Sequence, residues 1–170
     1  MCALFGSSRD VSLFRHLNRE LLWDVITQQC VFYQLKTAET KVNIYGEAAG
    51  ARLYAEPVLL NVLIDRGDAS QPVDDFGVSY DRPMTFKFLR DDLVDANVLP
   101  ESGDIIMWYE SYWEINNVND NQLVVGKDPA YPYNTNPLNP GLENFGSNWS
   151  IICTAHYVPA DKVQISKERI

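Results

Sequence analysis

The spacing of apolar and polar positions changes character after the first thirty residues. Over residues 10–28 the apolar positions recur at helical spacing: Val11, Leu13, Phe14, Leu17, Leu21, Leu22 and Val25 form one wide stripe. Asn18 falls inside that stripe and needs a partner if buried. Ser12, Arg15, His16, Arg19, Glu20 and Thr27 lie opposite, together with Trp23. Ser8 or Asp10 offers an N-cap. From Cys30 the pattern becomes that of strands. CVFYQL (30–35) is rich in β-formers, and PVLLNVLI (57–64) is apolar on both faces apart from Asn61. The second run predicts a central strand covered on both sides, or one that meets a neighbouring subunit. A short strand is expected over 76–80. Residues 82–89 alternate cleanly, with Met84, Phe86 and Phe88 on one side and Thr85 and Lys87 on the other.

The chain is organised around residues 100–118, PESGDIIMWYESYWEINNV. A turn, Pro100-Glu101-Ser102-Gly103-Asp104, opens it. Two apolar runs follow, 105–109 and 112–118, separated by Glu110 and Ser111. This predicts a β-hairpin with Glu-Ser as its loop, a poor pair for a tight primed turn. Strict alternation would put Trp113, Ile115 and Asn117 on one face, with Tyr112, Glu114, Asn116 and Val118 on the other. Between strands, residues 90–98 read as one or two helical turns with Asp91 and Asp92 at the favoured N-terminal end. A further strand is expected over 122–125. Residues 149–157 read as a strand closing the sheet, with Trp149, Ile151, Cys153, Ala155 and Tyr157 sharing a side. The charged tail from 159 to 170 holds one last short strand around Val163 and Ile165.

The expected fold is mainly β: an antiparallel sandwich or barrel with an N-terminal amphipathic helix and long extended loops. One domain spans 1–170, with an N-terminal arm (1–9), the helix (10–28), a β core (30–158) and the tail (159–170). Two connections, 36–50 and 127–147, are long for a compact domain and are expected to act as arms that order against a partner.

The net charge of −9 argues against a surface that grips DNA, which needs a basic patch. It permits DNA to pass without sticking. The three cysteines, Cys2, Cys30 and Cys153, are odd in number and lack zinc spacing, so free thiols in a reducing compartment are expected. No signal peptide and no membrane-spanning run is read. Cys153 and His156 stand three apart on a strand, on opposite faces, and do not make a metal site without a bulge. Asp74-Asp75 and Asp91-Asp92-Asp95 could pair carboxylates for magnesium or acid–base work. Their plainer reading is a solvated loop and a charged helix start. No phosphate-cradling loop or nucleophile elbow is present, and no catalytic, cofactor or metal residue is assigned.

The order of segments carries a resemblance. A helix is followed by VFYQL, NIYGEA, PVLLNVLIDR, MTFKFLRDDL, PESGDIIMWYESYWEINNV and WSIICTAHYVPADKV. Across residues 10–165 this resembles the neck, or head-completion, proteins of large contractile-tailed bacteriophages. GDII before an aromatic strand and WEI is the most telling piece, and NIYGEA the second. The resemblance implies a virion structural protein and not an enzyme. It implies a homo-oligomeric ring, expected to be a hexamer, at the head–tail junction of a particle assembled in the host cytoplasm. A portal or adaptor protein would sit above it and a tail terminator or tail-completion protein below. Genomic DNA would pass through the channel without specific binding, and no membrane is involved. On that picture Trp23, Tyr45, Tyr131, Tyr133 and Phe145 are candidate interface residues. Asp65, Asp68, Asp74 and Asp75 are candidate acidic residues of the lumen. The competing readings are another connector component, such as a tail terminator or baseplate wedge protein, and a small metal-dependent hydrolase.

Overall fold

The computed structural model describes residues 8–37, 52–68, 73–74, 77–78, 82–120, 149–163 and 165. Helix α1 (Ser8–Glu20) continues into a π-helical segment, Leu21–Ile26, and ends at Thr27 with φ of 51°. Strands β1 (Gln29–Tyr33), β2 (Val58–Asn61) and β3 (Leu63–Arg66) follow. A two-stranded ribbon, β4 (Val73–Asp74) and β5 (Gly77–Val78), precedes β6 (Pro83–Leu89) and helix α2 (Arg90–Ala96). Strands β7 (Ile105–Trp108), β8 (Ser111–Asn119) and β9 (Ser150–Val158) complete the sheet, and α3 (Ala160–Val163) replaces the short strand expected in the tail. The fold is mainly β, with an N-terminal helix, as the sequence predicts.

Seven strands form one antiparallel sheet in the order β2-β1-β7-β8-β9-β6-β3. Among the described residues no ladder closes it. Its two edge strands are nevertheless consecutive in sequence, separated by Val62 alone. Asn61 pairs with Gln29 at one flank while Leu63 pairs with Lys87 at the other. One residue spans only about 3.3 Å of extended chain, so the sheet has to curl until its flanks nearly meet. Contacts between β2 and β6, and of α2 with both, record that curl. The apolar run over 57–64 is therefore two edge strands and not one central strand. Its alternate face is open to solvent at Leu59 and Leu63. β9, expected to close the sheet, lies inside it between β8 and β6.

The concave face holds the main core: Phe32, Val62, Phe86, Phe88, Leu93, Ile106, Ile115, Ile151 and Cys153, all essentially inaccessible. The alternation of β6 places Met84, Phe86 and Phe88 there as read from sequence, with Phe86 and Phe88 edge-on to Trp113 and Phe32. A smaller cluster on the other face joins Val31, Tyr33, Ile105, Tyr112 and Val158 to Val163 of α3. Both faces of β1 are thus covered. In β8 the register slips between Ile115 and Asn117, leaving Asn116 as the extra residue of a bulge. Val118, not Asn117, consequently packs on the main core beyond Ile115. The β7–β8 turn also departs from expectation by one residue. Its central pair is Tyr109-Glu110, both at positive φ (49° and 61°), as a primed turn requires.

Asp104 ties the hairpin to β1. Its Oδ1 accepts the Leu35 N–H and its Oδ2 the Glu101 N–H, each at 2.8 Å. Gly103 before it takes φ of +97°, and its N–H reaches Ile115 O at 2.9 Å. Burial raises the Asp104 carboxyl from 3.8 to about 6, outweighing the two backbone donors that favour the anion. A carboxyl raised on folding holds its proton in the native state after the unfolded chain has lost it. Its contribution to stability is then complete below pH 3.8 and is lost as pH rises through about 6. The free-energy gap between the protein and its Asp104→Asn variant should narrow by roughly 2 kcal/mol from pH 4 to 6.5. Urea unfolding across that range measures it, and a flat difference would contradict it. Cys30 and Cys153 are free and buried in the main core. Burial pushes the Cys153 thiol up to about 12 and Cys30 further. Neither should react with an aromatic disulfide reagent at pH 8 until the protein is unfolded.

Candidate assembly interface

Helix α1 docks with the side that the sequence marks as polar. Arg15, Arg19 and Trp23 recur at four-residue spacing and face the acidic first turns of α2. Arg19 lies 2.8 Å from Asp95 Oδ2 and 3.4 Å from Asp92 Oδ1, and Arg15 lies 3.8 Å from Asp91. The Trp23 indole N–H donates to Asp92 Oδ2 at 2.9 Å, with the Arg19 guanidinium 4.9 Å over its ring. Asp92 is buried, and desolvation raises its carboxyl above the ordinary range despite the Trp23 and Arg19 contacts. The aspartate triplet on α2 is thus a seat for α1. Among the described residues no group of three His, Cys, Asp or Glu is placed to hold a metal ion.

The apolar stripe of the same helix consequently looks outward. Leu13, Phe14, Leu17, Leu21 and Val25 are between 48% and 72% exposed, while Leu22 is buried. Contiguous apolar faces of this kind mark interaction surfaces. Trp149 anchors the near end, its ring 5.5 Å from Phe14 and its carbonyl accepting the Arg90 N–H. Where the π-helical segment crosses the sheet, a groove of about 320 Å³ opens between Leu21, Leu22, Ile26, Leu63, Phe88 and Trp149, with Asn18 and Lys87 at its lip. The Trp149 indole N–H is buried with no hydrogen-bond partner among the described residues.

The opposite end of the sheet carries the β7–β8 tip. Tyr109 is 86% exposed there, beside Trp108 at 5.9 Å between centroids. The Arg66 guanidinium sits 4.7 Å over the Trp108 ring. A third feature is a polar cleft lined by Arg52, Tyr54, Glu114, His156, Asp161 and Lys162. In it Arg52 pairs with Glu114 at 2.8 Å. His156 Nδ1 and Asn116 Oδ1 are 2.6 Å apart, on the face away from buried Cys153, as the strand spacing requires.

Of the interface residues read from sequence, Trp23 is half exposed and held by Asp92. Tyr45, Tyr131, Tyr133 and Phe145 lie outside the described residues, as does the strand expected over 122–125. Asp65 is exposed and pairs with Lys87 at 3.2 Å, Asp68 is exposed, and Asp74 lies in β4. Asp75 lies outside the described residues. Sequence reasoning missed Tyr109 because it read the turn one residue late. The groove joins Leu21, Leu63 and Trp149 from three distant segments, and no local pattern announces it.

The sequence matches no protein-family model and no curated protein. In three dimensions the chain is similar to one from the virion of a native gene transfer agent particle. The TM-score is 0.47 at 13% identity, over 78% of this chain and 96% of that one. A likeness of this size carries no functional conclusion. No helix among the described residues is long and apolar enough to cross a membrane.

Substitution at the α1–α2 contact should cost stability, and substitution on the outward stripe of α1 should not. Asp92→Ala removes the acceptor of Trp23 and the partner of Arg19, and should destabilise the protein by about 1–3 kcal/mol in denaturant unfolding. Leu17→Lys, on the outward stripe, should change stability by less than about 0.5 kcal/mol.

Proposed function

We propose that this chain is a virion structural protein, specifically a neck or head-completion protein. It forms a ring between the portal or adaptor and the tail, closes the DNA-filled head and offers the tail a docking face. The observation that carries the reading is the outward apolar stripe of α1. It is too large a face to leave in water and has no counterpart chemistry in a catalytic cleft. The order of sequence segments supports the neck in particular. A ring needs heterologous contacts that close, and an exposed helix face held rigidly on a sheet is suited to that. The net charge of −9 suits a channel through which a duplex slides without adhering. Residues Asp65 and Asp68, both exposed, are candidates for its wall.

Electron microscopy of particles grown with and without this protein tests the reading. Density for it should lie at the head–tail junction, and particles lacking it should show tailless heads that lose DNA. Restoring the protein as Leu17→Lys should fail to rescue, although the variant folds. Particles whose junction is complete without this chain would refute the proposal.

A further inference from the structure

We infer that the β7–β8 tip of one copy seats in the groove beneath α1 of the next copy, with Tyr109 as the knob. The inference rests on the ring reading and specifies one contact within it.

The first observation is conformational. Tyr109 and Glu110 both occupy the left-handed region, where a side chain other than Asn or Gly is strained. Asn-Gly would make this turn without strain. The chain instead holds a large aromatic there, almost fully in water. At 86% exposure the ring adds little to packing within the described fold, where it lies tilted beside Trp108. Backbone strain that serves so little internal packing points to a function outside the subunit.

The second observation is the groove. About 320 Å³ is roughly ten waters' volume, ample for one tyrosine side chain. Its walls, Leu21, Leu22, Ile26, Leu63, Phe88 and the Trp149 ring, are largely apolar. An aromatic ring is the kind of side chain that fills such walls. Charge agrees as well. Glu110 follows Tyr109 at the tip, and Lys87 stands at the lip of the groove, where its ammonium can exchange Asp65 for Glu110.

The third observation excludes a contact within one subunit. Ser150, at the groove, begins β9, and Val158, opposite Tyr112 of the hairpin, ends it. Eight residue steps at about 3.3 Å separate the two ends by roughly 25 Å. Knob and hole therefore meet only between copies. The contact is head-to-tail, the kind that propagates into a ring when the rotation closes.

Two measurements on the full chain test this. In the first, a Tyr109→Cys copy and a Leu21→Cys copy, each also Cys2→Ser, are mixed at high concentration with a short bismaleimide. A two-chain product is expected from the mixture and from neither variant alone. In the second, Tyr109→Asn with Glu110→Gly should raise the melting temperature by about 2–4 °C or more, because strain is relieved. The same variant should weaken self-association in sedimentation by at least about tenfold. Stability and assembly moving in opposite directions is an outcome that a merely structural turn does not give. If the chain self-associates but the mixture gives no product and the turn variant associates normally, this contact is wrong while the ring reading stands. Cross-linking of Tyr109→Cys to itself also overturns it, by making the contact two-fold. Absence of any association overturns it too, and microscopy of the particle then decides the ring separately.

Discussion

The step through Val62 is the constraint from which the rest of the architecture follows. A strand that pairs with β1 at one edge of the sheet becomes, one residue later, a strand that pairs with β6 at the other. The chain cannot make that step unless the sheet curls almost onto itself. Curling gives the seven strands a single concave face, and that face collects the phenylalanines of β1 and β6 with the isoleucines of β7, β8 and β9. It also brings α2 against both flanks, where Leu93 completes the core. Val62 is itself wholly buried, so the corner is fixed by packing as well as by connectivity.

The seat of α1 follows from what α2 offers. A helix with one apolar and one charged side would ordinarily bury the apolar side. Here the neighbouring surface is the acidic start of α2, and the complementary side of α1 carries Arg15, Arg19 and the Trp23 indole. Exposed ion pairs contribute little, about 0–1 kcal/mol each. The Trp23–Asp92 hydrogen bond sits deeper and holds more, because an unpaired Asp92 would be a buried charge without compensation. The price is an apolar stripe left in water at about 25 cal/mol per Å². That arrangement favours covering the stripe with another surface. The overall charge of −9 makes copies repel one another and so opposes non-specific association through that stripe.

The two ends of the curled sheet then carry different chemistry. One has an aromatic tip on a strained turn, and the other has an apolar groove framed by α1 and Trp149. Because β9 runs the full length between them, the sheet acts as a rigid spacer. Loops set at its ends can present surfaces in fixed directions.

Much of this was legible in local periodicity. The span of the N-terminal helix, the alternation of Met84, Phe86 and Phe88, the turn at Gly103-Asp104, the existence of the hairpin and the opposed faces of Cys153 and His156 were all set by which residues lie two or three to four apart. Periodicity says which side chains share a face; it does not say what that face will meet. The division of residues 57–64 between two sheet edges, the bulge at Asn116, the one-residue shift of the turn to Tyr109-Glu110 and the outward aim of the α1 stripe were decided by pairings between segments far apart in sequence. Each depends on a partner strand or helix whose register no local pattern encodes, and so only the folded chain could decide them.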